Sequence, residues 1–406
     1  MITQVHPHMT RNNLTYEALG VSSQKEDVHE AIRDVYKGIF PTAFCKIVPD
    51  ILANGNNQCL VFHADGAGTK SIIAYLAWRE TSEARVFRGI AQDALVMNVD
   101  DISCTGLVSG FAISNTIGRN KFLIPAEVIA EIVGGYQDMI DKMAHLGIQM
   151  VLCGGETADV GDLVRTIIID STVLVRGPRP SIIETKNVVP GDCIVGLSST
   201  GMATFETEEN SGISSNGMTL ARHAVLAHEY MEKYPEIADP AVNPEIAYQG
   251  RFKLDDMVPG TSMSIQQALL SPTRTYLPVL KSIFSQFKVG ELQENIHGLI
   301  HCTGGGQTKC MRFGAGLQYI KDDLFSVPPV FSMIQQEGNV DWSEMYRVFN
   351  MGHRMEIICP ESASAPIIDV AKSFNVDAKI VGHVEQNSDP AKNCLVVVSP
   401  GGEIVY

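Results

Sequence analysis

An α/β fold in two domains is the expectation from the sequence, and three observations lead to it. Short apolar runs alternate with helical patterns, as where QCLVFHA (58–64) gives way through a glycine turn to TKSIIAYLAWRE (69–80). The chain's 406 residues exceed what one hydrophobic core usually organises. A linker, GPRPS, follows the β-branched run VRTIIIDSTVLV (164–175), so the boundary falls near Gly177 and divides the chain into 1–177 and 178–406.

Each element has its own signal. After the strand, turn and helix at 58–80, a helix is expected from about Arg88 to Ile102, a strand from Leu107 and a long helix from Pro125 to Gly147. IQMVLC (148–153) is the next strand, and the β-branched run closes the first half. In the second half VVPGDCIVGLSSTG reads as a turn and a buried strand, HGLIHC (297–302) as a strand running into a glycine triplet, and APIIDVAKSF (365–374) as a helix between strands. The polar TFETEENSG from Thr204 and the acidic, proline-interrupted stretch 228–256 read as surface excursions. Both halves are therefore α/β or α+β in character.

Charge and cysteine usage restrict the function. Lys plus Arg total 31 against 46 Asp plus Glu, a formal charge of −15 that repels a nucleic-acid backbone. Small phosphorylated ligands stay possible, because backbone N–H groups and a metal ion bridging to carboxylates can hold a phosphate. Nine scattered cysteines without a CxxC pair fit a reduced, cytoplasmic chain. The start, MITQVHPHMTRNN, has no apolar signal region, and no stretch approaches the roughly 20 apolar residues of a membrane span.

Five constellations carry chemistry. In DGAGTK the glycines 66 and 68 let backbone approach a ligand, Lys70 can reach a phosphate and Asp65 a divalent cation; the motif alone reads equally well as a glycine turn with solvated charges. GIAQDALVMNVDDI places Asp93, Asp100 and Asp101 on a helix whose other positions are mostly apolar, so it should be buried. Buried carboxylates need a cation or a partner, and hard oxygen ligands without nearby His or Cys clusters point to Mg²⁺. CGGETADVGD offers Gly154, Gly155, Glu156 and Thr157 after a strand, and in SSNGMTLAR Ser215 or Asn216 can cap a helix whose first turn binds an anion. HCTGGG brings His301 and three glycines close to a ligand, although a single histidine is more often structural. Glycine loops and acids spread over both halves, without a Ser-His-Asp or Cys-His signature, indicate nucleotide-dependent chemistry.

In order, YEALGVS (16–22), DGAGTK (65–70), DALVMNVDDI (93–102), GGETAD (154–159), VPGDCIVGLSS (189–199), SSNGMTLAR (214–222), LLSPTRTY (269–276), HCTGGG (301–306) and EMYRVFNMG (344–352) resemble the phosphoribosylformylglycinamidine cyclo-ligase family, also called aminoimidazole ribonucleotide synthetase. The resemblance implies a homodimer whose N-terminal sheets join into a barrel, and a C-terminal α+β domain with an antiparallel sheet that completes an ATP-dependent site. It implies ring closure of formylglycinamidine ribonucleotide with release of ADP and phosphate. Carried over by motif, Asp65, Asp93 and Asp101 are metal candidates, and Asp65, Lys70, Asp93 and His301 catalytic ones. Gly66, Gly68, Thr69, Asn98, Thr303, Gly304, Gly305 and Gly306 fall to the nucleotide; Gly154, Gly155, Glu156, Thr157, Ser215, Asn216 and Gly217 fall to the phosphorylated substrate. The chain departs from the family pattern at Ser22, in the split loop before Ser215, in QTKCMR (307–312) and in HRM after FNMG. Two other readings therefore stand beside it: another ATP-using enzyme of the superfamily, or a non-catalytic nucleotide-binding relative.

Overall fold

The computed structural model describes residues 13–23, 25–288 and 291–406, so most of the polar start lies outside the described residues. Strands β1 (Ile47–Pro49), β2 (Gln58–Gly66), β3 (Phe111–Arg119), β4 (Met150–Asp159) and β5 (Ile167–Pro178) form one sheet in the order β1-β2-β5-β3-β4. Helix α1 (Glu26–Ala31) precedes them; α2 (Lys70–Thr81), α3 (Phe87–Ser103) and α4 (Ala126–His145) are inserted between strands and cover one face of the sheet. Strands β3 and β4 are parallel because α4 carries the chain back across the sheet; the other pairs are antiparallel.

The second sheet contains β6 (Cys193–Ser198), β9 (Gly298–His301), β10 (Leu317–Lys321), β11 (His353–Cys359), β12 (Ala378–Gln386), β13 (Cys394–Ser399) and β14 (Gly402–Val405); β7 (Thr200–Gly201) and β8 (Asn210–Ser211) pair apart from it. Its order is β14-β13-β10-β12-β6-β11-β9, antiparallel except for β10 and β13. The expected antiparallel sheet is thus a mixed one. Apolar packing does not stop at the linker: Val61 and Val173 of the first sheet and Ile194, Ile300 and Leu395 of the second belong to one continuous buried cluster. The described start of the chain also packs on late elements, with the Leu14 N–H donating to the Gly338 carbonyl and the Tyr16 N–H to Glu344. No helix among the described residues is long and apolar enough to cross a membrane.

The two surface excursions are anchored in the body by buried residues. Glu206 accepts two hydrogen bonds from the fully buried Arg274, at 2.9 and 2.6 Å, and Asn210 and Ser211 are buried. Within 228–256 the aromatics Tyr230, Tyr234 and Tyr248 are buried, apolar area that the acidic and proline content of the stretch obscures. Helix α5 (Met218–Val225) packs here, and the Tyr248 N–H donates to Nδ1 of the buried His223 at 3.0 Å. Burial, then the neighbouring Arg222, pushes this imidazole down from 6.5 to about 2. A depressed pKa means that the unfolded chain binds the proton first, so stability is complete above pH 6.5 and falls as the pH drops below it. Unfolding free energies from urea titrations should decline by up to about 1.4 kcal/mol for each pH unit lowered, and His223→Gln should flatten the decline. Equal slopes in the two proteins would contradict this.

Among the described residues, much of the first sheet's face opposite the helices is uncovered. Phe62, Leu174, Ala112 and Val151 lie on one rung across β2, β5, β3 and β4, with Phe62 69% and Val151 60% exposed. Such an uncovered apolar face on an otherwise well-packed sheet calls for a partner surface.

Candidate active site

Three glycine loops from distant parts of the chain converge on one cleft of about 430 Å³. The first leaves β2 at Asp65 and Gly66. A Cβ on Gly66 would lie 1.7 Å from the Asp170 carboxylate across the ladder, so only glycine fits opposite that acid. The second loop is Ser214 to Gly217, where Gly217, at φ 81°, starts α5 without any side-chain cap. The expected cap from Ser215 or Asn216 is therefore absent, and the first-turn N–H groups of α5 keep no side-chain acceptor. The third follows β9 and holds Thr303, Gly304 and Gly305. Thr69 and Thr219 join the first two loops through a 2.8 Å hydroxyl contact.

The acids of α3 separate into three environments. Asp101 accepts from His301 Nδ1 at 2.6 Å and lies 3.5 Å from His63 Nε2. Burial opposes its charge, yet Lys309, His301 and His63 together hold its carboxyl down to about 2. Asp65, on the cleft wall, is raised by desolvation and then by Asp101, so the two carboxyls titrate apart. Asn98 ties them together: its amide donates to the Asp65 carbonyl at 3.1 Å and to the Ser171 carbonyl, and its oxygen is 2.9 Å from His63 Nδ1. Asp100 points elsewhere, to the Thr275 hydroxyl at 2.6 Å, and burial raises it to about 7.

His301 is fully buried, and burial pushes it down to about 4, with Arg354 adding to the effect and Asp101 opposing it. Because Arg354 Nε can only donate, 3.1 Å from His301 Nε2, the proton of the neutral ring sits on Nδ1 and faces Asp101. This histidine orients Asp101 and does not line the cleft.

Asp65, Gly66, Gly68, Thr69, Ser215, Asn216, Gly217, Thr303, Gly304 and Gly305 all line the cleft. Lys70 and Asp93 do not: both are fully buried, and Lys70 Nζ donates to Asp93 at 2.9 Å and to the Ser271 carbonyl at 2.6 Å. The expected phosphate lysine and metal carboxylate neutralise each other behind the loop. Gly306 also lies off the cleft, its missing Cβ making room for the carbonyls of Tyr346 and Phe349 at 2.6 Å. The GGET segment is not a loop but part of β4, an edge strand, where Gly154 to Thr157 are exposed at the sheet edge away from β2 and outside this cleft's lining. The cleft also includes Tyr16, Ser22, Asp170, Thr219, Lys309 and Arg312, which motif reasoning passed over. Asp170 did leave a signal, a lone carboxylate in the run IIIDSTV.

Two other features of the molecule lack this convergence. A groove of about 750 Å³ between α3, α4 and residues 262–272 is larger, yet it is lined by solvated charges of both signs such as Arg85, Glu208 and Glu209. Cys302, His353 and Glu356 come within ligand distance of one another, but the Lys321 ammonium, 2.5 Å from Glu356, takes the place of a cation there.

Comparison with known proteins agrees with this architecture. Residues 45–175 match the family model described as AIR synthase related protein, N-terminal domain, and residues 274–391 match the corresponding C-terminal domain. The phosphoribosylformylglycinamidine cyclo-ligase of Methanococcus vannielii is 31% identical over 332 residues, covering 81% of this chain and 78% of its own. That of Methanocaldococcus jannaschii is 31% identical over 343 residues, covering 83% and 81%. Among solved structures, AaThiL complexed with AMPPCP and TMP aligns with a TM-score of 0.53 at 11% identity, over 91% of this chain and 93% of that one. The HypE-HypF complex aligns at 0.52 and 15% identity, over 93% and 98%; at these identities the likeness shows the fold alone.

Proposed function

Because this chain belongs to the AIR synthase related family, we propose that it is a phosphoribosylformylglycinamidine cyclo-ligase. In this reading ATP phosphorylates the formyl oxygen of formylglycinamidine ribonucleotide. An amidine-side nitrogen then attacks the activated carbon, and phosphate leaves to give aminoimidazole ribonucleotide. The observation that carries the reading is the meeting of three glycine loops from both sheets over paired carboxylates, since phosphoryl chemistry needs positioning and charge neutralisation more than a protein nucleophile.

The donor set fits a hard divalent cation: Asp65 and Asp170 line the cleft, the ionised Asp101 acts on Asp65 from just off that lining, and among the described residues no thiol lines the cleft. Mg²⁺ held by Asp65 and Asp101 would neutralise nucleotide phosphate charge. Asn98 holds the Asp65 backbone and His301 the Asp101 carboxylate in place, and the uncapped start of α5 offers N–H groups to a phosphate. Ser215, Asn216, Thr303 and the adjoining glycines surround the remainder of the ligands. Incubation with formylglycinamidine ribonucleotide, ATP and Mg²⁺ should yield aminoimidazole ribonucleotide with one ADP per product. Nucleotide binding without product would overturn the reading in favour of a regulatory relative.

The bare sheet face supports a homodimer in which two such sheets close on each other. Gly66, Asp170, Thr116 and Glu156 share a rung on that same face, so a second copy seated there borders the cleft, and we assign Gly154 to Thr157 to the cleft of the second copy. Phe62→Glu should halve the mass seen in sedimentation; an unchanged mass would exclude this face. A cytoplasmic setting suits nine cysteines without a disulfide.

A further inference from the structure

The run Gln307 to Arg312, where the sequence departs from the family pattern after its glycine triplet, has one residue that packing does not account for. Gln307 is fully buried and donates to the carbonyls of Asn350 and His353, Thr308 donates to the Gly305 carbonyl at 2.7 Å, and Cys310 is buried. Those three side chains fasten the turn. Lys309 instead faces the cleft, half-buried, with its ammonium 3.1 Å from the Thr303 hydroxyl and 4.7 Å over the Phe44 ring. Phe44 is in turn held by a 5.0 Å stack on Phe313. Lys70 and Lys321 each touch a buried carboxylate, whereas among the described residues none lies within ion-pair distance of Lys309. An ammonium fixed by a ring and one hydroxyl keeps two of its three N–H donors for a ligand. Lys25 and Arg312, the other cations of the cleft, are exposed.

We propose that Lys309 is a catalytic residue that contacts the phosphoryl group during its transfer, a step that rests on the reading given above. The formyl oxygen supplies the electron pair for the new phosphorus–oxygen bond. The old bond breaks with its pair left on ADP, and the lysine keeps its proton throughout. Charge spreads over the three non-bridging oxygens as the group moves, and a prepositioned ammonium in a shielded cleft stabilises it most at that moment. Asp65 and Asp170 form the opposing acidic wall of the cleft, so this half-buried cation meets the part of the phosphate that they repel.

The test uses the full-length protein and begins with wild-type turnover, which judges the underlying reading separately. Lys309→Met should lower kcat by about 10²- to 10³-fold with KM for ATP within about threefold, and Lys309→Arg should recover part of the loss. Calorimetry with Mg²⁺ gives a second readout: wild type should bind AMPPCP more tightly than ADP, and Lys309→Met should lose that preference while its ADP affinity stays the same. Loss of the preference in a protein that makes no aminoimidazole ribonucleotide would keep the contact and discard the reaction. Turnover within threefold of wild type with the preference intact would overturn the proposal. So would equal loss of ADP and AMPPCP affinity with a lowered melting temperature, which marks a structural lysine.

Discussion

Lys70→Met should cost the fold about 3–5 kcal/mol, and Lys70→Met with Asp93→Asn should regain most of it. The single change leaves the Asp93 carboxylate in a site with no solvent exposure, where one oxygen accepts from the Thr273 N–H at 2.8 Å and the other has no partner. The amide of the double variant still accepts from Thr273 and carries no charge to strand. Urea unfolding separates this from the motif-based expectation, under which Lys70 binds a phosphate and its removal weakens nucleotide affinity alone. A single variant as stable as wild type would refute the buried pair.

Asp101→Asn should leave the fold intact and lower turnover by about 10³-fold, because the amide oxygen still accepts from His301 while the charge beside the cleft disappears. Mg²⁺-dependent binding of AMPPCP should vanish with it. Calorimetry with and without Mg²⁺ checks this, and an affinity equal to wild type in both conditions would remove Asp101 from the cation site.

These two variants mark where sequence reasoning ran out. The burial of α3 was legible, because apolar residues occupy most of its circumference, and so was the need for something to neutralise its acids. Which acid faces the cleft was not legible. Asp93 finds its partner 23 residues upstream, at Lys70, while Asp100 and Asp101 find theirs at Thr275 and His301, on segments that only the tertiary fold brings near. GGET looked like a turn from its glycines, yet pairing with β3 continues through it to Asp159, and the glycines serve the strand itself: Gly154 has φ 130°, and a Cβ on Gly155 would lie 1.6 Å from the Asn115 side-chain oxygen. The acidic stretch 228–256 misled in the opposite direction, since three tyrosines outweigh its charge once they are buried. By contrast, strand ends and glycines alone marked the turns after Asp65 and at Thr303, because a backbone that must turn sharply leaves its mark in the local sequence, whereas Ser215 was reached as a helix cap that the structure does not form.

The apolar cluster that runs from Val61 through Ile194 to Leu395 has a consequence for dividing the chain. Either half taken alone would expose part of the interior it shares with the other, together with a share of the cleft walls. In the run from Gln307 to Arg312, the buried Gln307, Thr308 and Cys310 serve that common interior while Lys309 and Arg312 line the cleft.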